Sequence, residues 1–294
     1  MIRHRGYRPV VVGVDASACA LDALDWAAAE AATRELPLRV VHACVPPATG
    51  DPYGVLAAAA DDRAYRQAGQ EVLDEAVSRA RSVAPECRIS ARLVIGPPAQ
   101  AILEHARDAE LVVVGNGRTG RLRRLLARSV GGQVVAHAGC PVAVVPAFHE
   151  VPPGPSAARV VVGIDARSTD AAGYAFQAAE QRGIVLTAVH AWVPRGPAEP
   201  EGAVDDTAAG EEAGRRLLDD ALERWIDKFP GVRVEPRLVR GHAAHTLVAE
   251  SAGAALTVVG TRGRGCLRGA LLGSVSRALL RHAHSPVAVL RTPP

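Results

Sequence analysis

Short apolar runs alternate with longer amphipathic stretches along this chain. In the second half, Val160–Ile164 is a β-branched run that predicts a strand. Thr169–Arg182 follows with helical periodicity, and Ser168 is a candidate N-cap. The pattern then predicts strand Ile184–His190 and helix Glu211–Phe229, apolar at Ala213, Leu217, Ala221 and Trp225. Strand Arg233–Val239, helix Ala243–Ala252, strand Leu256–Gly260, helix Ser274–His282 and strand Val287–Leu290 complete it. The first and fourth strands are apolar almost throughout, as parallel strands covered on both faces must be. Alternating strands and helices with right-handed crossovers predict an α/β fold, Rossmann-like and doubly wound, with a mainly parallel five-stranded sheet. Ligands of such sheets bind at the carboxyl ends of the strands, near the switch in strand order.

The pattern occurs twice. Val10–Asp15 (VVVGVD) recurs as Val160–Asp165 (VVVGID), and Val41-His42-Ala43 recurs as Val189-His190-Ala191. Gly96 matches Gly241, Leu111–Gly115 matches Leu256–Gly260, and Ser129-Val130 matches Ser274-Val275. His137-Ala138 and Pro141–Val144 match His282-Ala283 and Pro286–Val289. Six landmarks in one order predict two tandem domains, 1–147 and 158–294. The Pro- and Gly-rich stretch 148–157 reads as the linker. The segments Val45–Arg63 and Val193–Gly210 are Pro/Gly/Asp-rich and read as mobile loops.

Composition narrows the chemistry. The 294 residues carry a net charge of +3, with 48% hydrophobic and 22% charged residues, which describes a globular chain. So small a charge makes no global case for nucleic acid or an anionic membrane. Aromatics at 3% imply an aliphatic core and argue against base-stacking platforms. Lys228 is the single lysine, so a P-loop is excluded and a Schiff-base enzyme is disfavoured. Cys19, Cys44, Cys87, Cys140 and Cys266 are scattered, which argues against a disulfide framework and a Cys-x-x-Cys zinc site. Cys140 is replaced by Ser285 in the second repeat, so packing explains it better than chemistry. The pairs His242/His245 and His282/His284 lack a visible third ligand, and no metal site or catalytic group is assigned. No apolar run suits a signal peptide or a membrane span, and a cytoplasmic protein is expected.

The chemistry-bearing stretch follows the fourth strand of the second half. Gly260-Thr261-Arg262-Gly263 is followed, after nine residues, by Gly273-Ser274-Val275-Ser276. Glycines let successive N–H groups turn inward as an anion nest. A helix starting near Ser274 adds unpaired N–H groups and a positive dipole end. Ser274 and Ser276 can offer hydroxyls, so a polyphosphate can be held without lysine. Asp165, after the first strand, can accept hydrogen bonds from a ribose or amino group, or serve as a turn residue. Small Ala191 leaves room for a flat base.

These residues resemble the universal stress protein family. VVGID (Val161–Asp165), Val189-His190-Ala191, Gly241, the Gly-x2-Gly-x9-Gly-Ser loop and HAHSPVAVL (His282–Leu290) carry the resemblance, and the first half matches in VVGVDAS, VVHA, Gly96, LVVVG and HAGCPVAVV. It implies ATP binding, with Asp165 and Ala191 on the adenosine side. Gly260, Gly263, Gly273, Ser274, Val275 and Ser276 would hold ribose and phosphates, with Gly163, Ile164, Gly241, Thr261, Arg262, Arg264 and Gly265 flanking them. It further implies ATP, with any Mg2+ held by its phosphates, as a sensed ligand in stress adaptation, and a homodimer. The last strands, Val142–Val145 and Val287–Leu290, are apolar sheet edges that need covering, so the two halves are expected to pack through them as an internal pseudo-dimer.

The first half departs from that pattern. Arg118 and Arg128 stand where Gly263 and Gly273 stand, and Gly131 replaces Ser276. A side chain at such positions obstructs the approach of phosphate to backbone. Val14, Asp15, Ala43, Gly115, Ser129 and Val130 are therefore expected to form a weaker nucleotide site, or none; the alternative is an arginine gripping phosphate itself. Arg118, Arg121, Arg123, Arg124 and Arg128 form a basic loop that reads as a solvated face ahead of a nucleic-acid contact. No enzymatic turnover is expected beyond weak ATP hydrolysis. The competing readings are a slow ATPase or nucleotidyl transferase using Asp165 or Asp15, and a partner-binding module without ligand.

Overall fold

The computed structural model describes residues 8–45, 62–117, 129–147, 159–166, 169–193, 206–261 and 272–291. The chain divides into two compact units, Met1–His149 and Glu150–Pro294. The linker 148–157, Ser168, Cys266 and the five arginines of the basic loop lie outside the described residues.

The first unit runs β1 (Val10–Val14), α1 (Ala18–Thr33), β2 (Leu38–Cys44), α2 (Asp62–Val83), β3 (Ile89–Ile95), α3 (Pro98–Ala106), β4 (Leu111–Asn116), α4 (Val130–His137) and β5 (Val142–Pro146). Its strand order is β3-β2-β1-β4-β5, every pair parallel. The second unit repeats this: β6 (Arg159–Gly163), α5 (Thr169–Arg182), β7 (Val185–Trp192), α6 (Asp206–Lys228), β8 (Val234–Arg240), α7 (Ala243–Glu250), β9 (Leu256–Gly260), α8 (Ser274–His282) and β10 (Val287–Leu290). Its order is β8-β7-β6-β9-β10, again parallel. The order reverses between β1 and β4, and between β6 and β9, which opens a crevice at the strands' carboxyl ends.

Two expectations need correction. The segment read as loop up to Gly210 is helical from Asp206, because α6 begins there. Asp62 and Arg63 likewise belong to α2, not to a loop. The remainder of both segments, 46–61 and 194–205, lies outside the described residues.

The central strands are buried on both faces. Val10, Val11, Val12, Leu111, Val112 and Val113 are all fully buried, as are Val160–Val162 in the second unit. Each strand therefore needs helices above and below. In the first unit α1 packs with α2 and α3 with α4; α5 with α6 and α7 with α8 do so in the second. Helix α1 approaches its sheet through alanines: Ala20, Ala23, Ala27, Ala28 and Ala31 are buried beside Leu24. Small side chains bring backbone layers close, and that lets an aliphatic core reach native density. The second unit departs from the aliphatic rule at Phe176, fully buried and stacked 5.8 Å from Phe229. The outer strands β3 and β8 are partly exposed along their length. Pro236 sits within β8, where a missing N–H is tolerated on the unpaired side.

Candidate functional site

The crevice of the second unit is assembled by hydrogen bonds that pin the strand ends together. Ile164, just past β6, donates its N–H to the Val189 carbonyl at 2.8 Å. The Ile164 carbonyl faces Nδ1 of His190 at 2.8 Å. The first unit repeats the contact, Nδ1 of His42 lying 2.9 Å from the Val14 carbonyl. The recurring Val-His-Ala therefore has a structural cause: its imidazole ties the second strand to the turn after the first. The repeated His was visible in the sequence, but nothing there revealed its partner.

Gly163 closes the other side of that turn. A Cβ on it would stand 2.7 Å from Cδ1 of Leu247 in α7, so a larger residue would force the end of that side chain to shift. Asp165 follows, partly exposed. Ala191 pairs with Val239, and the next residue, Trp192, accepts the Gly241 N–H at 2.8 Å. Gly96 makes the same bond to the Cys44 carbonyl at 2.9 Å. Both glycines adopt positive φ, +145° at Gly96 and +158° at Gly241. Only a residue without Cβ adopts such a turn cheaply, which accounts for their recurrence.

On the opposite side of the crevice, β9 ends at Gly260. Thr261, buried, donates its N–H to Leu290 at 2.8 Å and accepts that of Gly273 at 2.9 Å. The chain thus leaves β9 and re-enters at α8 through one clasped point. Arg262, Gly263, Arg264 and Gly265 lie between, outside the described residues. Helix α8 starts at Ser274 with Gly273 as N-cap, and no side chain caps it. Ser274 is exposed and Val275 half-buried. Ser276 differs from the free donor expected: it is 1% exposed, and its hydroxyl donates to the Gly260 carbonyl at 2.9 Å. Its role here is to fasten α8 to the end of β9.

The first unit's counterpart is arranged otherwise. Ser129 is the N-cap of α4, and its hydroxyl accepts the Gly132 N–H at 3.0 Å. Val130 begins the helix. One of the amides that α8 leaves uncapped is therefore satisfied from within in α4. Asp15 is also engaged, accepting both the backbone N–H of Ser17, at 2.9 Å, and the Ser17 hydroxyl. A Cβ on Gly115 would collide with the Cys19 carbonyl at the start of α1, so packing alone requires that glycine. Ala43 pairs with Val94 at the end of β2.

The second crevice can therefore take an anion at the α8 N-terminus, beside a carboxylate at Asp165 and a small side chain at Ala191. Among the described residues no three His, Cys, Asp or Glu side chains form a metal-binding group, and no helix is long and apolar enough to cross a membrane.

Known proteins are similar to this chain in sequence and in fold. The model of the universal stress protein family matches residues 6–146 and again 157–291. The universal stress protein Rv2005c of Mycobacterium tuberculosis is 38% identical over 303 residues, covering 99% of both chains. A universal stress protein of Mycolicibacterium smegmatis is 33% identical over 295 residues, covering 96% of both. The crystal structure of a universal stress protein from Archaeoglobus fulgidus covers 96% of both chains with a TM-score of 0.70 at 18% identity, a likeness of fold. The double match along the whole length settles the lineage: this chain belongs to the universal stress protein family, as a tandem of two such domains.

Proposed function

We propose that the second unit binds an adenine nucleotide, ATP with any Mg2+ carried on its phosphates, as a regulatory ligand in stress adaptation. Asp165 and Ala191 receive the adenosine side. The end of β9 at Gly260 and the first amides of α8 at Ser274 and Val275 receive ribose and phosphates, and Thr261, its amide and carbonyl both engaged, clasps the loop beside them. The observation that carries this reading is the uncapped start of α8 beside the end of β9. Unpaired N–H groups and the helix dipole favour a polyanion there without a lysine. The first unit binds more weakly or not at all, because Ser129 already caps α4. The protein works in the cytoplasm as a homodimer, and ATP is sensed more than consumed.

Native mass spectrometry of the purified chain, followed by ATP titration, tests this. One tightly held adenylate per chain is expected, lost in Gly273→Arg, with turnover below about one per second. Two equivalent sites, or a melting temperature untouched by saturating ATP, would overturn it. Sustained faster turnover would support a hydrolase instead.

A further inference from the structure

The two units finish their outer edges differently. Among the described residues β3 pairs only with β2, and β8 only with β7, so each has one free side. In a parallel strand, alternate residues turn both N–H and C=O toward the same neighbour. The Arg88 carbonyl accepts the Leu38 N–H and the Gly96 N–H donates to Cys44, both at 2.9 Å, so the even-numbered residues of β3 face β2. Ile89, Ala91, Leu93 and Ile95 therefore turn their main-chain groups outward. In β8 the Arg233 carbonyl accepts the Leu186 N–H at 2.9 Å, which leaves Val234, Pro236, Leu238 and Arg240 outward. Pro236 has no N–H and breaks that row. Its counterpart in the first unit is Ala91, which keeps one.

The charges of the two edges differ as well. Arg233 and Arg237 of the second unit correspond to Arg88 and Arg92 of the first. Arg233 meets Glu235 at 3.0 Å, and Arg237 meets Glu250 of α7 at 2.8 Å. At the places of Glu235 and Glu250 the first unit carries Ser90 and His105, so both carboxylates are lost while both arginines remain. Asp108, just past α3, is taken by Arg39 through bonds of 2.8 and 3.0 Å. Among the described residues no ion pair joins Arg88 or Arg92 to a carboxylate, and both are exposed. Arg92 instead donates to the outward carbonyl of Ala91 at 2.8 Å. Arg88, Ser90 and Arg92 lie on one face of the strand; Ile89, Ala91 and Leu93, partly buried, lie on the other.

We propose that the free edge of β3 takes up an extended acidic segment of a partner protein, which continues the sheet and brings its carboxylates to Arg88 and Arg92. A segment alternating acidic and apolar residues fits both faces at once. Main-chain bonds supply the affinity, and the charges select the partner. A second copy of this chain fits less well, since its own β3 would bring arginine against arginine.

The full-length chain is titrated with a short labelled peptide alternating Glu and Val, and separately with its Lys-Val counterpart, by fluorescence anisotropy. Saturable binding of one Glu-Val peptide per chain is expected, with slowed hydrogen exchange across 89–95. The Lys-Val peptide binds far more weakly. Ala91→Pro removes the outward donor, as Pro236 does in the second unit, and weakens the Glu-Val peptide about ten-fold or more. Ser90→Glu restores a carboxylate beside Arg88 and also weakens it. Melting temperatures near that of the parent show that the variants fold; should Ala91→Pro not fold, Ser90→Glu and the exchange pattern decide. Absence of saturation, equal binding of the Lys-Val peptide, an unchanged Kd in a folded variant, or no exchange protection across 89–95 would each overturn the proposal. So would self-association of the chain that Ala91→Pro abolishes, since the edge would then belong to a second copy.

Discussion

The indole of Trp192 fills the space that a side chain on Gly210 would need: a Cβ there would stand 2.9 Å from Cζ3 of the ring. At the corresponding places of the first unit stand Cys44 and Tyr65, where the Cys44 thiol lies 3.8 Å from the Tyr65 carbonyl. Bulk on the strand in one repeat has become bulk on the helix in the other. Trp192 is half-buried, so Trp192→Cys should cost about 1–3 kcal/mol by partly emptying that space. Gly210→Tyr should be destabilising by overpacking. The double variant should recover about 0.5–3 kcal/mol of the summed losses in a denaturant-based mutant cycle. Simple additivity would show that the two positions do not share one space.

Ser276 and Ser274 look alike in the sequence and should behave differently. Ser276→Ala removes the hydroxyl bound to the Gly260 carbonyl and should lower stability by about 1–2 kcal/mol. Ser274 is exposed, so Ser274→Ala should leave stability within about 0.5 kcal/mol. On the proposed reading it weakens ATP several-fold. Thermal denaturation with and without ATP distinguishes the two effects.

That contrast marks how far sequence reasoning reached. The strands and their doubling were legible because apolar runs and repeated landmarks report burial directly. Helices Thr169–Arg182 and Ser274–His282 fall where periodicity placed them. The five-residue shortfall at the start of α6 arose because Asp206–Gly210 has loop-like composition, and tertiary packing of Gly210 under Trp192 overrides that propensity. The tasks of Ser276, Ser129 and His190 were hidden for another reason. Each depends on a carbonyl or amide brought close by the fold, and residue identity does not announce which one.

The end of α1 holds an ion pair almost out of solvent. Nε of Arg34 lies 2.6 Å from Glu30, with the side chains 3% and 2% exposed. Arg34→Ala leaves a buried carboxylate without this partner and should cost about 3–5 kcal/mol. Replacing both residues by Met should cost less than the single change, as read by urea unfolding.

Cys140 provides a pH test. Its thiol is pushed up to about 11, mainly by burial. The reactive thiolate is therefore about one part in a thousand at pH 8. Its alkylation rate should keep rising about ten-fold per pH unit up to pH 10 while the fold persists. An ordinary exposed thiol levels off near pH 9. A plateau at Cys140 below pH 9.5, measured by peptide mass spectrometry, would contradict its burial.

The bond between the Gly273 amide and the Thr261 carbonyl has a bearing on how this lineage can diversify. Because the segment it bounds starts and finishes at one anchored spot, its length can drift with little entropic penalty, each doubling adding only about 0.6 kcal/mol. Residues may be gained, lost or recharged there while the start of α8 keeps its aim. Sequence changes can then accumulate in that stretch alone, without any redesign of the sheet beneath.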